Sequence, residues 1–136
     1  MTQTITTQVS ELVAKAKSEV EELTVAEVAA AAREGDIQLI DIRDVRELAR
    51  DGRIPGAFHC PRGMLEFWID PASTYHKDVF ARDTRYVFLC AGGMRSALAA
   101  KTAQDMGLSP VAHMLGGFGA WSKDGQAIEK DEKLWK

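Results

Sequence analysis

The chain has 136 residues, which suits a single domain, and its 46% hydrophobic and 27% charged residues lie near the average for a soluble globular protein. A net charge of −3 excludes a global basic field for nucleic acid, and no run of about 18 apolar residues is present to span a membrane. Two cysteines, Cys60 and Cys90, cannot build a disulfide framework, so free thiols in a reducing compartment are expected; Met1 to Ser10 lacks a signal-peptide layout, and the expected location is the cytoplasm.

Val9, Leu12, Val13, Ala16 and Val20 recur at helical spacing and predict an amphipathic N-terminal helix with Lys15, Lys17, Glu19 and Glu21 toward water. This periodicity fits packing on the domain or on another subunit. Thr24-Val25-Ala26-Glu27 is a capping box, so a second helix starts there and runs to about Arg33, with Gly35 as its stop. Three apolar runs follow along the chain, Leu39–Ile42, Tyr86–Cys90 and Val111–Leu115, with Ala57–Cys60 as a fourth strand candidate. Continuous rather than alternating runs fit strands buried on both faces of a parallel sheet. Helices are expected at Val45–Arg50, Gly63–Ile69, Arg95–Met106 and Phe118–Lys123. Strands alternating with helices predict an α/β fold with helices on both faces. Asp70 to Thr84 shows no clean period, apart from a candidate short helix near Tyr75–Ala81. The charged stretch from Lys123 to Lys136 reads as a solvated helix or tail, with Ile128, Leu134 and Trp135 as candidate anchors.

The most informative segment is Cys90-Ala91-Gly92-Gly93-Met94-Arg95-Ser96, between a buried strand and a helix. The C-terminal edge of a parallel strand is where α/β proteins place ligands. Gly92 and Gly93 allow a tight bend with inward N–H groups, which favours anions, and the following helix N-terminus adds partial positive charge. Arg95 adds a full charge with a forked donor set. Such surroundings favour a thiolate, which can attack a donor's sulfur atom and become an anionic persulfide. A lone cysteine at a strand end is otherwise a small buried hydrophobe.

Cys90-x-x-Gly93-x-Arg95-Ser96 resembles the active-site loop of the rhodanese family. Leu39-Ile40-Asp41-Ile42-Arg43 resembles that family's first signature, and Gly52-Arg53-Ile54-Pro55-Gly56-Ala57 its second, with Arg53 where His is commonest. Leu115-Gly116-Gly117-Phe118-Gly119-Ala120-Trp121 is similar to the stretch after its last strand. The resemblance implies about five mostly parallel strands with helices on both faces. It also implies a sulfurtransferase that moves a sulfane sulfur from a small anionic donor, thiosulfate or a persulfide, to a thiophilic acceptor. Cys90 would carry the persulfide, and Ala91, Gly92, Gly93, Met94, Arg95 and Ser96 would bind substrate. Arg95 would orient the donor, and Ser96 would give a hydrogen bond near the helix start. No charged side chain precedes Arg95 in the loop, so thiosulfate is not singled out as donor. The acceptor would be cyanide, a thiol or a protein, with no metal or organic cofactor and no nucleic-acid or membrane partner.

The expected organisation is an N-terminal helical extension over 1–22, a rhodanese-like domain over 23–125 and a charged tail over 126–136. The resemblance gives Asp41 and Arg43 a part in organising the site, and bracing of loops is expected of them rather than direct chemistry. Phe67 and Trp68 read as core, with Trp68 at the site's mouth as the alternative that the resemblance suggests. Cys60 reads as a buried hydrophobe, with a resolving thiol as the alternative. His113 reads as a core residue with a bonded ring nitrogen and Trp121 as a packing anchor. His59, His76 and His113 lack metal-ligand spacing with either cysteine. Two other functions compete. A cysteine-dependent phosphatase needs five residues between Cys and Arg, whereas four stand between Cys90 and Arg95. A non-catalytic sulfur-relay or protein-binding module is the second.

Overall fold

A computed structural model describes residues 2–130. Leu134, Trp135 and the rest of the expected 126–136 tail beyond residue 130 lie outside the described residues. The strands are β1 (Glu21–Leu23), β2 (Ile37–Asp41), β3 (Phe58–His59), β4 (Arg85–Leu89) and β5 (Val111–Met114). They form one sheet in the order β1-β5-β4-β2-β3, with every pairing parallel. The helices are α1 (Val9–Glu19), α2 (Val25–Glu34), α3 (Val45–Asp51), α4 (Leu65–Ile69), α5 (Met94–Asp105) and α6 (Gly117–Lys123). Alternate strand residues feed two cores. Ile40, Tyr86, Phe88 and Val111 pack with Leu65 and Ile69 of α4 and Ala99, Ala100 and Ala103 of α5. Leu39, Val87, Leu89, Ala112 and Met114 pack with Val28 of α2 and Phe118 and Trp121 of α6. The layered α/β architecture and both expected helix faces are therefore present.

Local chemistry explains most boundaries. The Thr24 and Glu27 side chains complete the expected capping box, and Gly35 closes α2 in the left-handed conformation at φ 76°. The expected helix over Gly63–Ile69 is instead a 3₁₀ turn, Arg62–Met64, followed by the short α4. Asp70 to Thr84 contributes one 3₁₀ turn, Asp78–Ala81. Of the predicted apolar face of α1, Val13 and Ala16 are buried, but Val9 and Leu12 are exposed. The helix packs on α5 of its own chain: Lys101 pairs with Glu19 at 2.7 Å, and Gln104 donates to the Glu19 carbonyl at 2.9 Å. Strand β1 is not legible in the sequence, because Glu21-Glu22-Leu23 carries too much charge to read as a strand. At the other end, Trp121 Nε1 donates to the Ala127 carbonyl at 2.8 Å, and Glu129 forms an antiparallel bridge with Arg53. No helix among the described residues is long and apolar enough to cross a membrane.

Candidate active site

From β2 the chain moves to β3 at one edge of the sheet, whereas from β4 it moves to β5 on the other side. The C-terminal ends of β2 and β4 therefore flank a topological switch point, where open α/β sheets form a crevice. Asp41 closes β2 and Cys90 follows β4, so these two expected site segments meet there. An open cleft of about 540 Å³ beside the loop is lined by Arg43, Arg50, Ala91, Phe118, Ser122 and Lys123, among others.

Cys90 is 1% exposed, and its Sγ accepts N–H bonds from Gly93 at 3.1 Å and Ser96 at 3.3 Å. The cause lies in the start of α5. Its N-cap is Gly93, which has no side chain to satisfy the first-turn donors. The Cys90 sulfur takes that place, so the thiol caps the helix at the end that favours negative charge. Gly93 adopts φ 102°, open only to glycine at low cost. The loop is then pinned from below by main chain. Phe118 N–H donates to the Cys90 carbonyl at 2.7 Å and Gly119 N–H to the Ala91 carbonyl at 3.0 Å. A Cβ on Gly117 would stand 2.4 Å from the Cys90 carbonyl oxygen, so the Gly116-Gly117 turn is what lets α6 approach this closely.

The other expected residues divide. Ala91, Gly92 and Met94 are exposed on the loop's outer side, with no hydrogen bond to the sulfur. Arg95 is held by Glu47: its two terminal nitrogens donate to both carboxylate oxygens at 3.0 and 2.9 Å. That hydrogen-bonded pairing pushes the Glu47 carboxyl below its ordinary range and Arg95 above its own. The full positive charge expected of Arg95 is thus balanced by Glu47, which the sequence alone does not place here. The Ser96 hydroxyl is engaged by His113 Nδ1 at 3.0 Å, so Ser96 reaches the sulfur through its main chain rather than its side chain. Asp41 and Arg43 form a fully buried forked pair, with Arg43 Nη2 at 2.7 Å from Asp41 and 3.0 Å from the Gly52 carbonyl. The Arg43 guanidinium also lies over the Phe118 ring at 4.1 Å, which makes it a brace between β2, α3 and α6.

Cys60 is fully buried and desolvation pushes its thiol up to about 12, which leaves it a small hydrophobe rather than a resolving nucleophile. Trp68 packs edge-on against Phe58 and is not among the cleft's lining residues, whereas Phe67 is exposed rather than core. Among the described residues no three His, Cys, Asp or Glu side chains converge on a metal site.

Residues 24–124 match the rhodanese-like domain. The chain belongs to the rhodanese-like domain family. A Mus musculus member, thiosulfate sulfurtransferase/rhodanese-like domain-containing protein 3, is 31% identical over 102 residues, which are 71% of this chain; the match spans 65% of the mouse protein's length. A thiosulfate sulfurtransferase from Pseudomonas aeruginosa superposes with a TM-score of 0.72 at 27% identity, over 88% of this chain and 22% of that one. A Rhodopseudomonas palustris protein of unknown function, described as a possible tyrosine phosphatase, is 58% identical with a TM-score of 0.92, over 95% of this chain and 99% of that one. This rhodanese-like chain therefore has relatives named as sulfurtransferases and a similar structure with a phosphatase description.

Proposed function

We propose that the chain is a sulfurtransferase that carries a sulfane sulfur as a Cys90 persulfide. The observation that carries this reading is the pair of main-chain N–H groups, from Gly93 and Ser96, on the Cys90 sulfur at a helix N-terminus. In the first step the Cys90 thiolate attacks the outer sulfur of a donor such as thiosulfate or a low-molecular persulfide. A sulfur–sulfur bond forms at Cys90, the donor's own bond to that sulfur breaks, and the leaving group (sulfite, for thiosulfate) departs with the electron pair. In the second step a thiophilic acceptor, either cyanide, a thiol or a protein cysteine, attacks the terminal sulfur and regenerates the thiolate. The cycle balances in atoms and electrons without an outside oxidant, and it predicts ping-pong kinetics. A reducing cytoplasm suits a free thiol of this kind. Intact-mass measurement after donor treatment tests the reading: the wild-type chain should gain one sulfur on Cys90 and Cys90→Ser none. A wild-type chain that gains nothing from thiosulfate, a polysulfide or a thiol persulfide refutes it.

The phosphatase reading has a specific observation behind it, the 58% identity to the Rhodopseudomonas palustris protein. Two features of the site weigh against it. Four residues between Cys90 and Arg95 make a tighter ring than a tetrahedral phosphate needs, and the Arg95 fork is engaged by Glu47. Release of phosphate from an aryl phosphate, abolished by Cys90→Ser, would decide for it.

A further inference from the structure

His113 stands in β5 on the sheet face packed against α5, where its strand neighbour Phe88 is apolar. It is fully buried, and a buried imidazole is costly unless both ring nitrogens are bonded. Both are. Nε2 meets Glu22 of β1 at 2.9 Å, and Nδ1 meets the Ser96 hydroxyl at 3.0 Å. Glu22 is in register with His113 across the β1–β5 pairing and also pairs with Lys17 of α1 at 3.0 Å. The series is continuous from the surface to the thiol, ending with the Ser96 N–H on Cys90 Sγ at 3.3 Å.

The direction of each bond follows from the groups. Burial opposes ionisation of Glu22, but hydrogen bonds from Lys17 and His113 outweigh it and hold the carboxyl below its ordinary value. Burial also dominates at His113, outweighing the pull of Glu22, and keeps the ring neutral. A carboxylate only accepts, so Nε2 carries the proton and Nδ1 accepts from Ser96. The Ser96 hydroxyl is thereby committed to β5, and it fixes the first turn of α5 against the sheet. We infer that Glu22, His113 and Ser96 form a positioning relay that holds the Ser96 N–H on the Cys90 sulfur, with the buried His113 as its central residue. The three side chains act on the sulfur only through the Ser96 main-chain N–H. The inference deepens the sulfurtransferase reading and rests on it for the purpose of the cradle.

The test uses the full chain and iodoacetamide, with the alkylated cysteine identified by peptide mass. The pH of half-maximal Cys90 alkylation reports stabilisation of the reactive sulfur anion separately from access to it. Glu22→Ala and His113→Phe should each raise that pH by about half a unit to one unit, the equilibrium effect of one ordinary hydrogen bond. The double variant should move no further than the larger single one, because the three side chains act as a unit. Glu22 has 28% side-chain exposure at a sheet edge, so Glu22→Ala carries the test alone should His113→Phe fail to fold. An unmoved half-maximal pH in Glu22→Ala, with only a lowered melting temperature, overturns the relay and leaves a merely structural contact. Alkylation needs no sulfur donor, so the two readings fail separately. A shift in a protein that accepts no sulfur upholds the relay and removes the sulfurtransferase reading; sulfur loading without a shift does the reverse.

Discussion

Replacing Gly117 with Ala isolates the close approach on which the cysteine loop rests. Gly117 adopts φ 61°, and an added Cβ would lie 2.4 Å from the Cys90 carbonyl oxygen and 2.7 Å from the Ala91 carbonyl carbon and oxygen. The left-handed conformation costs a non-glycine residue about 1–2 kcal/mol. Ordinary contact begins near 3.4 Å, so main chain must yield by about 1 Å. Forcing such room in a packed region costs about 1–3 kcal/mol, for a combined loss of roughly 2–5 kcal/mol. At about 3–4 °C per kcal/mol for a chain of this size, the melting temperature should fall by roughly 6–20 °C. Gly35→Ala is the control, since its φ of 76° carries the same conformational cost with nothing within 4 Å of the new Cβ. The loop's sulfur contacts at 3.1 and 3.3 Å would not survive a displacement of about 1 Å. Sulfur loading should therefore fall by about a hundredfold even in the folded fraction, as expected for a misplaced reacting group. Scanning calorimetry and time-resolved intact-mass measurement read the two effects. A Gly117→Ala chain that melts with Gly35→Ala, or that loads sulfur at the wild-type rate, would refute the reasoning.

Asp41→Asn should cost about 3–5 kcal/mol in urea unfolding, because Arg43 keeps its charge with 1% exposure and loses its counter-ion; a loss below about 1 kcal/mol would mean that water reaches the guanidinium. Glu47→Gln should change stability by less than about 1 kcal/mol, since the Arg95 partner is 45% exposed, yet it should lower the KM for thiosulfate by releasing the guanidinium. An unchanged KM would show that Arg95 does not meet the donor. Acidification should destabilise the chain in two windows. Burial favours the neutral form of folded His113, whereas the unfolded imidazole takes a proton below about 6.5, so its contribution is complete above that pH and declines as pH falls toward its lowered folded value. Glu22, held below its ordinary value of about 4.5, contributes above that pH and loses its contribution in stronger acid. Urea midpoints at about pH 7.5 and about pH 5.5 should differ in the wild type and converge in His113→Phe, and an equal difference in both chains would contradict the assignment.

Much of this architecture is legible in the chain because local rules and the global fold agree. Thr24 and Glu27 announce α2, and Tyr86–Leu89 is too uniformly apolar for a strand with one wet face. The cysteine loop is legible for the same reason: its glycines and its position after a buried strand both constrain the main chain. What escapes is long-range. Glu47 helps cap α3 and lies only three residues from Asp44, which is readable, but its grip on Arg95 joins residues 48 positions apart. Strand β1 escapes because a three-residue edge strand bearing two glutamates contradicts β-propensity, and register with β5 overrides that propensity. The charge that hides β1 is the same charge that bonds His113.

Both donors to the Cys90 sulfur are main-chain groups, and this divides the labour of the loop. Any side chain that tolerates the backbone path would leave the Gly93 and Ser96 N–H groups where they are. Only Gly93, at φ 102° and against Gly116, and Ser96, committed to His113, are constrained by the cradle itself. Ala91, Gly92 and Met94 face outward, with the cleft beside Ala91 lined by Arg43, Arg50 and Lys123. On the proposed sulfurtransferase reading, recognition of a donor or acceptor falls to side chains outside the sulfur's hydrogen bonds, such as Met94, Arg50 and Lys123. Exchanging Met94 for Lys should on this reasoning alter which donors are used while the pH of half-maximal Cys90 alkylation moves little, since the added charge sits on an exposed side chain and is screened by water. A large shift in that pH with unchanged donor preference would show that cradle and recognition surface are not separable.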